Sequence, residues 1–224
     1  MTTILDQVDA MIDERHLLKH TFYTKWAAGT LPREAMQEYA RQYFAFESAF
    51  PQFLSAMHSR EDRADIRQGI LENLWDEEHG EVNHAELWLR FAEGIGVSRE
   101  DVLAAPRNEA TQKLVDLYRV ITTTESIAAG MTAMYAYERQ VPEVAPSKIS
   151  GLKEHYGITE GPTLSFFVVH GELDVEHAGT ERELIGRIAS GEETAIASAA
   201  ERVLDAWNDF LTAVDMPSTE AVVA

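Results

Sequence analysis

Apolar side chains recur every three or four residues along nearly the whole chain, and this period limits the possible folds more than any other feature. The spacing places apolar residues on one side of an α-helix, whereas a half-buried strand requires alternation with a period of two. Glycine and proline are sparse, at 13 and 7 residues among 224, and alternating β-branched runs are absent. The sequence therefore predicts an all-α protein.

Helix-breaking and capping residues divide the chain into about seven predicted helices. Gly29 and Pro32 separate the first two helices, and Ser98 with Asp101 has the spacing of a capping box. The predicted helices cover residues 3–28, 32–59 with a bend near Pro51, 62–95, 108–140, 144–156, 160–189 and 191–214, with a short turn after Ser98. We expect one domain over residues 1–224, with a frayed tail at about 217–224.

The charge and composition argue against several classes of function. Asp and Glu total 38 against 19 for Lys and Arg, and the resulting net charge of −19 opposes binding to nucleic acid or to anionic lipid. No stretch approaches the roughly 20 apolar residues of a membrane span, and residues 1–10 lack the pattern of a signal peptide. The absence of cysteine excludes disulfides, thiolate-bound iron–sulfur clusters and a cysteine nucleophile. We expect a cytoplasmic protein with neither nucleic acid nor membrane as a partner.

Three predicted helices carry histidines and carboxylates at spacings that suit a metal site. Residues four or seven apart lie on one side of an α-helix, so each group is predicted to project as one stripe. Burying a carboxylate without a partner is costly, and a metal ion offsets that cost. Mixed carboxylate and imidazole donors suit iron or manganese rather than calcium or structural zinc. The predicted donors to two metal ions are Glu77, His84, Glu138, His170, Asp174 and His177.

The residues alone leave two points open at this site. Glu81 stands three residues before His84, the carboxylate-x-x-His spacing of di-iron bundle proteins, so it competes with Glu77 or joins it as a seventh ligand. Acids and histidines on helices are also most often exposed, and the segment around Glu77 is rich in acids.

The helix count, the order of the donors and their intervals resemble the heme-oxygenase-like di-metal oxidases over almost the whole chain. That superfamily also contains thiaminase II and the pyrroloquinoline quinone synthesis protein C. Within it, the chain is most similar to the para-aminobenzoate synthase family that includes the chlamydial protein associating with death domains. The resemblance favours Glu77 over Glu81, and it implies a heme-oxygenase-like domain that holds Fe/Fe or Fe/Mn and uses O2 and a reductant.

The same resemblance implies an unusual source for the product. Tyr23 corresponds to a tyrosine that is cut from the protein to supply the aromatic ring, and Lys148 corresponds to the candidate donor of the amino group. The implied activity is a single turnover per chain that yields para-aminobenzoate for folate biosynthesis. Judged from the residues alone, a tyrosine in the position of Tyr23 is more often a core residue, and a lysine in the position of Lys148 is more often a surface residue. Tyr23 shares a predicted stripe with His16 and His20, and its competitors are Tyr39, Tyr43, Tyr135 and Tyr137.

Other functions compete with this hypothesis. The same metal site serves related oxidases that act on an external fatty acid or amino acid. A death-domain-type interaction protein is a second alternative, because a surface charge of −19 would bind a basic partner. Iron storage is a third and weaker alternative. Thiaminase activity is not expected, because the nucleophile of thiaminase II is a cysteine and this chain has none. The sequence leaves the oligomeric state open; a homodimer is one option, with Leu204, Trp207 and Leu211 as candidate exposed apolar contacts.

Overall fold

Between residues 2 and 215, the range described by the computed structural model, the chain consists of twelve α-helices and one short 3-10 helix, without a strand. This confirms the predicted all-α class. The tail predicted to fray lies outside the described residues. The helices are α1 (Ile4–Glu14), α2 (Thr21–Ala27), α3 (Arg33–Glu47), α4 (Phe50–Arg60), α5 (Ala64–Glu78), α6 (His84–Gly94), α7 (Arg99–Ala104), α8 (Glu109–Thr124), α9 (Ile127–Glu138), α10 (Val141–His155), α11 (Gly161–Ile188) and α12 (Glu193–Asp215), and the 3-10 helix covers Leu17–Lys19.

The first predicted helix is broken into three elements because two histidines cap new helices. The His16 side chain accepts a hydrogen bond from the Leu18 N–H, and the His20 side chain accepts one from the Phe22 N–H. Such caps satisfy backbone groups that a new helix leaves without partners. The predicted stripe of His16, His20 and Tyr23 is therefore wrong, since the three residues do not share one continuous helix.

The predicted helix 62–95 is also broken, at the loop between α5 and α6. Gly80 adopts a φ of 87°, which favours glycine, and the Asn83 side chain accepts from the Glu86 N–H to start α6. Glu77 consequently lies near the end of α5 and His84 at the first position of α6. Their sequence interval does not describe a single helical stripe, contrary to the prediction.

The core of the bundle is built around α9, whose residues from Ala128 to Glu138 are all buried. Ser126 caps this helix by accepting from the Ala129 N–H, which separates α9 from α8. Helices α8, α11 and α12 pack against it. A helix that is apolar on every side is typical of a central position, and here it carries Glu138 into the interior.

Helix α12 places its apolar side against the core. Leu204, Trp207 and Leu211 are 2%, 2% and 1% exposed, and the Trp207 indole N–H donates to the Tyr118 hydroxyl at 3.0 Å. The prediction that these three residues are exposed contacts for a dimer is wrong, because α12 uses them to pack against α8 and α9. None of the helices within residues 2–215 combines the length and the apolar character needed to cross a membrane.

Candidate metal centre

Two groups of buried carboxylates and imidazoles lie inside the bundle. The first donor cluster consists of Glu47, Glu77, His84 and His170, and the second donor cluster consists of Glu138, Asp174 and His177. Within each cluster, one donor atom per residue lies within 4.8 Å of every other. The structure thus brings together all six predicted donors, divided between two sites, and adds Glu47.

Helix α11 contributes to both clusters because it runs past them for 28 residues. His170 faces the first cluster, and Asp174 and His177, one and two turns later, face the second. The His170 Nδ1 lies 2.8 Å from the Phe166 carbonyl oxygen. A carbonyl can accept but not donate, so Nδ1 carries the proton and Nε2 keeps its lone pair for a metal ion.

The second histidine of α11 is oriented in the same manner. Its Nε2 lies 3.0 Å from Asp76 Oδ2, so His177 donates from Nε2 to this carboxylate. Its Nδ1 then faces Asp174 Oδ1 at 3.6 Å and Glu138 Oε1 at 3.7 Å. A histidine whose second nitrogen bonds a carboxylate is held in a fixed orientation for metal binding.

Several donor atoms in these clusters are buried without a hydrogen-bond partner. Burying a polar atom in this way costs about 1–3 kcal/mol. His84 Nδ1 lies 2.9 Å from Glu77 Oε2, yet the two atoms lack hydrogen-bond geometry, as expected of lone pairs that point to a common ion. The atoms without a partner are Glu47 Oε1, His84 Nδ1, Asp174 Oδ1 and Oδ2, His177 Nδ1 and the nearby Glu181 Oε2. The donors therefore fit two transition-metal ions.

The electrostatics of the clusters also favour positive charge. Burial, with the nearby charge of Glu77, raises the pKa of Glu47 to about 8, and burial raises the pKa of Asp174 to about 8. Burial opposes protonation of His177, but the neighbouring carboxylates of Asp174, Glu138 and Asp76 raise its pKa to about 10. Carboxylates packed this closely favour protonation unless cations lie between them. Divalent metal ions would supply that charge.

Glu47 is a donor that sequence reasoning missed. It ends α3, directly after the apolar stretch Phe44–Phe46, which is the kind of context that singled out Glu138. The signal was therefore present in the sequence. Glu81, the alternative to Glu77, is exposed in the loop before α6 and belongs to neither cluster.

Two further residues support the second donor cluster. The Asn73 side-chain amide donates to both carboxylate oxygens of Glu138, at 3.0 and 3.3 Å. Glu181 lies one turn after His177 on α11 and contacts Glu138, and burial with the charge of Glu138 raises its pKa well above the usual value. Asn73 lies on a helix distant in sequence from Glu138, so local spacing could not identify it, whereas Glu181 continues the spacing of the α11 donors by one further turn.

Tyr23 and Lys148 meet in the aromatic interior beside the first donor cluster. Lys148 is 4% exposed, and its Nζ donates to the Tyr39 hydroxyl at 2.6 Å. That Nζ lies 5.3 Å from the centre of the Tyr23 ring, and the Tyr23 and Tyr39 hydroxyl oxygens are 3.5 Å apart. A cavity of about 10 Å³ is lined by Tyr23, Lys148, Tyr137 and His170 of the first donor cluster, among others.

The burial of Lys148 has a chemical consequence. Desolvation lowers its pKa to about 7, although the charge of Glu47 opposes this effect. The interpretation of Lys148 as an ordinary surface lysine is therefore wrong. Among the competing tyrosines, Tyr43 and Tyr137 share a hydrogen bond within the same aromatic interior, whereas the Tyr135 hydroxyl donates to Asp9 at 2.6 Å.

Comparison with known proteins agrees with this architecture. The sequence model of a family described as iron-containing redox enzymes matches residues 37–208. The chain belongs to this family. The chain is 39% identical to the 4-aminobenzoate synthase of Chlamydia trachomatis, over 96% of this chain and 93% of that protein.

Two solved structures share the fold of this chain. A TenA homologue from Pseudomonas syringae superposes with a TM-score of 0.84 at 16% identity, covering 95% of this chain and 93% of the other. A domain with a heme-oxygenase-like fold from Shewanella denitrificans gives a TM-score of 0.77 at 15% identity, covering 99% and 95%. The enzyme therefore has the predicted heme-oxygenase-like fold.

Proposed function

We propose that this enzyme makes para-aminobenzoate for folate biosynthesis from its own Tyr23 side chain, with Lys148 as the amino donor. The observation that carries the proposal is the buried amine of Lys148, which lies against the Tyr23 ring in a cavity that the metal donor His170 also lines. The chlamydial relative named 4-aminobenzoate synthase, at 39% identity, supports the same class of product.

The two donor clusters would hold the metal ions, either Fe/Fe or Fe/Mn. Glu77, His84 and His170, with Glu47, would bind one ion, and Glu138, Asp174 and His177 would bind the other. When bound, such a pair uses O2 and a reductant to oxidise side chains that no ordinary amino acid could attack. Both metals accept the mixed oxygen and nitrogen donors present here.

The Tyr23 side chain already contains most of the product skeleton. Its ring carries one carbon, Cβ, and an oxygen in the para position. Formation of para-aminobenzoate requires that Cβ be oxidised to a carboxyl group, that the Cα–Cβ bond be broken and that nitrogen replace the phenol oxygen, which leaves as water. Release of that nitrogen from Lys148 breaks its Cε–Nζ bond and leaves Cε as an aldehyde, with O2 as the oxidant. Tyr23 is buried, which keeps bulk water away from reactive species formed during these steps.

Lys148 is suited to supply the nitrogen because a large fraction of its side chain is the neutral amine near pH 7. An exposed lysine would be almost wholly protonated at that pH and would not be nucleophilic. The hydrogen bond to the Tyr39 hydroxyl holds the Lys148 Nζ in place beside the Tyr23 ring. Removal of Tyr23 atoms from the chain consumes the protein, so each polypeptide would act once.

The test begins with protein loaded anaerobically with ferrous iron, with or without manganese, followed by O2 and a reductant. Para-aminobenzoate and the intact protein mass are then measured by mass spectrometry. We expect ring-labelled tyrosine in the protein to label the product, with at most about one product molecule per chain. Tyr23→Phe should abolish both the product and the mass loss.

Tyr135→Phe is the matched control, because that hydroxyl bonds Asp9 rather than the cavity residues, and it should retain product formation. Labelled product from Tyr23→Phe protein would refute Tyr23 as the source. An activity on an added fatty acid or amino acid that survives Tyr23→Phe would instead favour an external substrate.

A further inference from the structure

A cavity of about 570 Å³ opens between α4, α5, α9 and α11 and reaches the second donor cluster. His177 and Glu181 form part of its wall, as does Asn73, which bonds Glu138. The small cavity beside Tyr23, by contrast, measures about 10 Å³ and is lined by different residues. The larger cavity thus connects the exterior with the metal donors without passing the aromatic interior.

The exposed charged side chains of this cavity are acidic. Its exposed residues include Glu72 and Asp76 on α5 and Glu176 on α11, and the described residues that line it include neither lysine nor arginine. Apolar side chains form much of the remaining wall: Leu54, Met57, Ile70, Met131 and Leu184. A cleft with charges of one sign and walls of low dielectric constant concentrates the electric field and attracts ions of opposite charge.

An unpartnered carboxylate stands between these exposed acids and the second donor cluster. Glu181 is 6% exposed, its Oε2 has no hydrogen-bond partner, and it contacts Glu138. On the other side, Asp76 reaches from the cavity to His177 Nε2 at 3.0 Å. Oxygen donors therefore continue from the cavity mouth to the metal donors.

We propose that this cavity is the route by which divalent metal ions enter the protein, with Glu181 as a transient ligand before the second donor cluster. The inference deepens the proposed function, since it assumes that the donor clusters hold metal. A hexahydrated divalent ion occupies roughly 200 Å³, at about 30 Å³ per water, and fits within the cavity. The carboxylates of the passage would replace its waters stepwise. Anions of similar size are repelled by the same charges.

The test measures the rate at which metal-free protein takes up Co²⁺, an ion whose visible absorption reports binding. Stopped-flow mixing at low ionic strength is applied to two variants of the exposed acids, E72Q/E176Q and E72K/E176K. The matched control is E34K/E100K, because Glu34 and Glu100 are exposed but do not line the cavity. Circular dichroism checks that each variant is folded.

Neutralising the two cavity acids should slow uptake at least about fivefold, and reversing their charge should slow it further, relative to the control. The final Co²⁺ content should be unchanged, because neither residue is a donor in the clusters. Added salt should slow uptake by the wild-type protein more than by E72K/E176K. Glu181→Gln should slow uptake even though the exposed acids of the cavity are unchanged in this variant.

Equal uptake rates in the cavity variants and in the control would refute the cavity as the entry route. A wild-type uptake rate in Glu181→Gln would refute the role of Glu181 as a transient ligand. Uptake is measured without O2, and it should be the same in a Tyr23→Phe background. If para-aminobenzoate forms but the rate of metal uptake does not depend on the cavity charges, only the proposed entry route is refuted. If uptake follows the charges but no para-aminobenzoate forms, only the proposed function fails.

Discussion

Replacing Lys148 with methionine is expected to stabilise the metal-free protein while abolishing product formation. The wild-type side chain is buried with a pKa of about 7, against 10.5 for a lysine in solvent. At about 1.4 kcal/mol for each pH unit, this difference corresponds to a destabilisation of about 5 kcal/mol at low pH, and of about 4 kcal/mol at pH 7, where half of the folded molecules have lost the proton. Methionine fills a similar volume and has no charge to desolvate.

The sign of the pH dependence follows from linkage. The folded state holds the Lys148 proton less tightly than the unfolded state, so the destabilisation is fully present below about pH 7 and declines as the pH rises toward 10.5. At pH 9 it falls to about 2 kcal/mol. Because the variant also loses the hydrogen bond to the Tyr39 hydroxyl, worth about 1 kcal/mol, we expect a net gain of about 3 kcal/mol at pH 7 and about 1 kcal/mol at pH 9.

The assay is urea unfolding of metal-free protein at both pH values, followed by circular dichroism. Lys153→Met is the matched control, since Lys153 is exposed on the same helix, and it should change the free energy of unfolding by less than about 0.5 kcal/mol. A Lys148→Met protein that is less stable than wild type at pH 7, or a gap that does not narrow between pH 7 and pH 9, would refute the reasoning.

Three further outcomes test the donor clusters and the packing. Glu47→Gln should weaken binding of one of the two metal ions at least about tenfold, measured by metal content after dialysis, because it alters a donor of the first cluster. Asn73→Leu should weaken binding of the other ion about 10- to 100-fold in a metal titration, since it removes the hydrogen bonds to Glu138. Gly151→Ala should lower the free energy of unfolding by about 2 kcal/mol, because its Cβ would lie 2.7 Å from Trp26 Cδ1.

A specific result would contradict each of these predictions. If Glu47→Gln protein binds both ions with wild-type affinity, Glu47 is not a metal donor. If Asn73→Leu protein does so, the hydrogen bonds from Asn73 to Glu138 do not contribute to metal binding. Gly179 is the control for the glycine substitution, because a Cβ there meets open space. Equal stability of Gly151→Ala and Gly179→Ala would contradict the packing argument.

The helical class was predictable because amphipathic periodicity is a local property, but several helix ends were not. The breaks at His16, at His20 and before His84 depend on side-chain caps and on one glycine with positive φ. A histidine cap has no distinct signal in the sequence. The donors illustrate the same point, since the H-x3-D-x2-H spacing on α11 correctly indicated a shared face, whereas Glu77 and His84 meet across a loop.

By itself, the sequence determined the all-α class and the residue types that gather at the candidate metal centre. Periodicity and spacing along one helix are set by backbone geometry, which acts over a few residues. Tertiary structure alone decided that Glu47 joins the first donor cluster, that Leu204, Trp207 and Leu211 are buried, and that Lys148 lies among aromatic rings with a pKa of about 7. These properties depend on desolvation and on contacts between distant helices, and neither exists until the helices pack together.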